Sequence, residues 1–77
     1  MNIIYLSQLK EGESCTVQSL EISGAMRYRL SELGFISGSD VTCLQKSFSG
    51  DPTAYFVRGA VIALRKNDAS RIKIAVP

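Results

Sequence analysis

The sequence predicts a small, mainly β domain: a strongly bent antiparallel sheet of about five short strands, with one α-helix inserted after the first. Three observations carry that expectation. Apolar and polar residues alternate over segments 14–17, 40–44 and 71–76, as they do in strands that bury one face. One stretch, residues 23–34 (SGAMRYRLSELG), has helical rather than strand spacing. Turn-forming clusters at Ser37-Gly38-Ser39, Gly50-Asp51-Pro52 and Arg58-Gly59 divide the remainder into short runs.

In order, Leu6 to Leu9 suit a single helical turn, started by a Ser7 cap and stopped by Gly12. ESCTVQSLEI follows as a strand with Cys15 and Val17 on one face, and its alternation slips near Ser19 and Leu20 as a bulge would make it do. In the helix, Ser23 is placed to cap the N-terminus. Met26, Leu30 and Leu33 form an apolar stripe, with Arg29 and Glu32 spaced to pair on the other side. Gly34 stands where a left-handed C-terminal cap is wanted, and Phe35 where it can fold back on the last turn. DVTCLQKSF puts Val41 and Cys43 on one face. After Gly50-Asp51-Pro52, either Tyr55 and Val57 or Ala54 and Phe56 point inward. AVIALR is an apolar strand, Asn67 to Ser70 a short capped turn, and RIKIAV a last strand with Ile72, Ile74 and Val76 together. Such short strands hide their edges best by curling, so an SH3-like barrel is expected, with the helix and the N-terminal turn plugging an opening.

The chain of 77 residues has no internal repeat or linker, so residues 1–77 are expected to form a single domain. A core of this size leaves a thin stability margin and suits a domain that presents a surface. A net charge of +2 is too slight to imply a nucleic-acid partner by itself. The longest apolar run, Ala60 to Leu64, falls far short of the roughly 20 residues of a spanning helix. The first residues lack the basic start of a signal peptide, so a cytoplasmic location is expected.

Catalytic chemistry has little to work with. The chain contains no histidine, which removes the commonest general base and metal ligand. Lys46 and Ser47 are strand neighbours and point to opposite faces. Asp51 and Asp68 sit in turns, where aspartate ordinarily bonds backbone N–H groups. Neither GxxxxGK[ST] nor GxGxxG occurs. No enzyme activity and no cofactor are expected. Cys15 and Cys43 are the candidate metal ligands, yet two thiolates make at most half of a tetrahedral site. A carboxylate from a loop or a second copy would have to complete it, and two buried core thiols are the simpler reading. Arg58, Arg65, Lys66, Arg71 and Lys73, with Tyr55 and Phe56, allow a small nucleic-acid-binding barrel. Alternating Arg71 and Lys73 are what a solvated strand face looks like; that is the default reading, and nucleic acid is not expected.

Taken in order, Leu6-Ser7-Gln8-Leu9, Arg29-Leu30-x-x-Leu33-Gly34-Phe35, Gly50-Asp51-Pro52, Val57-Arg58-Gly59 and Leu64-Arg65 with Ala69 and Ile72 cover nearly the whole chain. In this combination the sequence resembles the FeoA family, small cytosolic proteins of bacterial ferrous iron transport. Ser37 departs from the proline that often precedes the matching glycine. The resemblance implies an SH3-like barrel and an accessory or adaptor role. The implied partner is FeoB, the membrane ferrous iron transporter with a cytosolic GTP-binding domain, whose assembly or GTPase cycle the protein would modulate. A transition-metal-binding or metal-sensing role is the alternative that travels with the group. Candidate partner contacts are Arg27, Tyr28 and Arg29 on the helix, with Arg58 and Arg65 beyond it. An exposed barrel edge leaves pairing of two copies open.

Overall fold

Period-two patterning builds most of the molecule, seen here in a computed structural model that describes residues 2–77. The described residues form β1 (Asn2–Tyr5), a 3-10 turn (Leu6–Gln8), β2 (Ser14–Leu20), α1 (Ala25–Leu33) and β3 (Asp40–Lys46). Then come β4 (Thr53–Val57), β5 (Ala60–Leu64), α2 (Lys66–Ala69) and β6 (Ile72–Val76). All neighbours are antiparallel, in the order β1-β6-β2-β3-β4-β5. The mainly β class and the single long helix are as expected.

Two register shifts curl the sheet. One falls between Val17 and Ser19 on β2, just before the expected slip near Ser19 and Leu20; the other falls between Cys43 and Gln45 on β3. An extra residue on one strand bends it and increases its twist. The concave side holds Val17, Val41, Tyr55, Val57, Ile72 and Ile74, with Leu6, Leu9, Leu30 and Phe35 closing over it. Tyr55 and Val57 are therefore the inward pair of β4, and Phe56 faces out. The Tyr55 hydroxyl donates to the Leu6 carbonyl at 3.4 Å, which ties the 3-10 turn to the barrel interior.

Several local expectations change. β1 is a strand the sequence hides: NIIY is too short to show a period, and it forms by pairing Ile3 with Ala75 and Ile4 with Ile74. The 3-10 turn is held not by Ser7 but by Gln8, whose side-chain oxygen accepts the Tyr5 N–H at 2.9 Å. It ends at Leu9 rather than at Gly12. Gly24, not Ser23, is the N-cap residue of α1, and no side-chain cap bond forms there. Arg29 and Glu32 do not pair; among the described residues the ion pair is Lys73 with Glu21 at 3.4 Å. Of the apolar stripe only Leu30 is buried, because α1 lies across the barrel opening and not on the sheet. Ala75 is buried beside Ile74, so β6 does not alternate to its end. The Asn67–Ser70 turn is the helix α2.

The end of α1 follows expectation. Gly34 adopts φ 112° and its N–H reaches the Leu30 and Ser31 carbonyls, while the Phe35 N–H bonds Leu30 at 2.9 Å.

Candidate functional site

The residues singled out on the helix and beyond it separate once the chain is folded. Arg27 turns back: its Nη1 donates to the Leu20 carbonyl at 2.8 Å and lies 3.4 Å from that of Ile22. It anchors α1 to the end of β2. Tyr28 is 68% exposed on the outer surface of the helix. Arg58 lies on the β4–β5 turn, against the helix C-terminus. A Cβ on Gly34 would stand 2.6 Å from Arg58 Cδ and 2.9 Å from Cγ, so the arginine stem covers the glycine.

Arg29 and Arg65 come together. They line one groove of about 210 Å³ between α1 and β5. Its apolar surface is made by Met26, Leu33 and Ile62, and the Asp68 carboxylate lines it together with the two arginines. Met26 is 36% exposed, the cost of a stripe that overhangs the opening. Neither arginine is in an ion pair among the described residues. The result is an apolar trough with two free guanidinium groups, which can bind planar carboxylates bidentately.

The helix spacing pointed to Met26 and Leu33 as core, and nothing in the sequence linked them to β5. The available signal was AVIAL, an uncharged strand bounded by Arg58-Gly59 and Arg65-Lys66. Its own Val61 and, on the neighbouring strands, Phe56 and Leu44 are also exposed.

Cys15 and Cys43 sit on adjacent strands, opposite Val41 and Tyr55 respectively, and both are buried free thiols. Burial, with a smaller contribution from Asp40, pushes the Cys15 thiol up to about 11; burial also raises that of Cys43. The thiolate is the metal-binding form, so both are poorly prepared as ligands at neutral pH. Among the described residues no three His, Cys, Asp or Glu side chains converge as a metal site would require. No described helix is long and apolar enough to cross a membrane.

The sequence matches the family model of the FeoA domain over residues 4–76, which spans the barrel and both walls of the groove. The chain belongs to the FeoA family. Among solved FeoA structures, that from Chlorobium tepidum is 32% identical with a TM-score of 0.90, covering 95% of this chain and 70% of the other. Stenotrophomonas maltophilia FeoA complexed with zinc, described as an SH3 domain protein possibly acting as a ferrous iron transport activating factor, is 32% identical with a TM-score of 0.82. That match covers 92% of this chain and 88% of the other. A fusion of Fe(2+) transport protein A with the Fe(2+) transporter FeoB from Porphyromonas gingivalis is 32% identical over 69 residues. The match takes in 90% of this chain but only 8% of the fusion protein's length. The SH3-like architecture follows.

Proposed function

We propose that this chain is a non-enzymatic cytosolic adaptor of bacterial ferrous iron uptake, which docks on an FeoB-type transporter and modulates its assembly or GTPase cycle. The observation that carries the reading is the fusion relative, in which an FeoA domain and the transporter share one polypeptide. Covalent linkage raises the effective concentration of one module at the other and is useful where the two act together. The α1–β5 groove supports the reading, since its free arginines over apolar surface suit a protein partner better than a small substrate.

Titration of the labelled chain with the transporter's cytosolic portion, in GTP-bound, GDP-bound and nucleotide-free states, tests the proposal. Shifts confined to α1, the β4–β5 turn and β5 are expected. Absence of binding in every state, and to the full-length transporter in detergent, overturns it.

A further inference from the structure

Strand β5 ends the sheet, and its outer edge is unguarded. Arg58 and Gly59 join β4 to β5 with φ 49° and 81°, the paired positive values of a type I′ hairpin. Val57 and Ala60 are then the hydrogen-bonded pair beside the turn. The regular register makes Tyr55–Ile62 and Thr53–Leu64 bonded pairs as well. Val61 and Ala63 consequently direct their N–H and C=O groups away from β4. Among the described residues neither finds a backbone partner there.

Natural sheet edges are blunted by charge, proline or a bulge. Ala60–Leu64 has no charged residue and no proline, and its pairing with β4 is unbroken. Both bulges lie elsewhere in the sheet. An edge left in this state next to an apolar trough is built to be paired.

We propose that β5 accepts a strand: an extended segment of a protein partner, with alternating apolar residues and an acidic residue near each end, adds to the Val61–Ala63 edge beside α1. In the register that pairs Val61 with Ala63, charge disfavours a second copy of this chain. Two β5 strands paired antiparallel about Ile62 would bring the Arg58 turn of each copy to the Arg65-Lys66 end of the other, and symmetry would crowd positive charge at both ends. Like charges brought this close repel and disfavour the pairing. A segment ending in Glu or Asp meets Arg58 at one end and Arg65 with Lys66 at the other, and Arg29 faces the same groove. Main-chain bonds to the edge supply affinity, and the alternate pockets supply selection. The proposal rests on the reading of this face as the docking surface and specifies how it is used.

Amide hydrogen exchange at Val61 and Ala63 tests it in two arms. The first uses a synthetic peptide of alternating valine and threonine with glutamate at both ends, beside a twin ending in lysine. At least tenfold protection of both amides by the glutamate peptide, little by the lysine twin, and loss of binding in Ala63→Pro are expected. That variant removes only an outward-facing N–H, so the hairpin persists. Equal protection by both peptides, or none, overturns the proposal; so does protection that grows with the concentration of the chain alone. The second arm uses the transporter's cytosolic portion. Binding that leaves Val61 and Ala63 unprotected overturns strand addition and keeps the docking reading. Absence of any binding overturns the docking reading, while the peptide arm still decides on the edge.

Discussion

The Asp51 carboxylate accepts the backbone N–H of Lys66 at 2.9 Å, so the loop after β3 caps a helix that follows β5. A four-residue helix cannot satisfy its own first N–H groups, and Arg65 at its N-cap position provides no side-chain acceptor. The aspartate of Gly50-Asp51-Pro52 supplies it from across the fold. An aspartate that reads as a local turn residue in sequence is a tertiary cap.

Removing that cap gives the first expected outcome. Asp51→Ala should lower stability by about 1 kcal/mol, the usual cost of a lost capping acceptor. Asp51→Asn keeps an oxygen in place and should lose less than half of that. Urea midpoints at unchanged slope measure both.

The contact of Gly34 with Arg58 gives the second. Gly34→Ala meets two separate penalties: a left-handed φ of 112° and a Cβ placed against the Arg58 stem. A cost of about 1–2 kcal/mol is expected from the backbone alone. Arg58 is exposed and can swing away, so Arg58→Ala combined with Gly34→Ala should recover only the steric part. A double-mutant cycle in urea separates the two. Full recovery in the double variant would show that the backbone strain contributes nothing.

How much of this was legible depends on the range of the forces involved. Cys15, Val17, Val41, Cys43, Ile72 and Ile74 could be placed on the inner face, because alternation is a local property of each strand. The slip in β2, read near Ser19 and Leu20 and found just before them, and the Gly34 cap were legible for the same reason. β1 was not, because four residues carry no period and only the exposed edge of β6 makes them a strand. The cap on α2 was not either, since it comes from a distant loop. For the site, the cations Arg29 and Arg65 stood out as residues, but their meeting in one groove depends on how α1 crosses the opening. Arg27 shows the converse: a cation that reads as a surface contact is used to hold the helix.

The buried thiols set an expected pH dependence. A Cys15 pKa raised from its usual 9.0 to about 11 means that the unfolded chain loses this proton first. Its contribution to stability is complete below pH 9 and is lost as pH rises through about 11. Urea midpoints at pH 8, 9.5 and 10.5 should fall, and fall less steeply in Cys15→Ala. Parallel decline in both proteins would assign the effect to other groups. The same burial makes Cys15→Ser with Cys43→Ser uninformative for zinc unless a calorimetric titration of the unsubstituted chain first shows binding. Loss of such binding in the double variant would make these thiols ligands after all.

Arg27, Arg29 and Arg65 should part company when they are replaced. Arg27→Ala removes charge-assisted bonds to the Leu20 and Ile22 carbonyls, so about 1 kcal/mol or more of stability should go with it. Arg29→Glu and Arg65→Glu touch no bonded partner among the described residues, and their urea midpoints should stay within about 0.5 kcal/mol of the unsubstituted chain. Binding to the transporter's cytosolic portion should show the reverse order. Reversal of both groove charges replaces attraction with repulsion for an acidic segment, and a loss of tenfold or more is expected at low salt. That loss should shrink as salt rises, because exposed charges are screened over about 10 Å at 0.1 M. Arg27→Ala should bind as well as the unsubstituted chain wherever it remains folded. If Arg27→Ala instead weakens binding while both groove variants leave it intact, the partner meets the N-terminal end of α1 and not the trough beside β5.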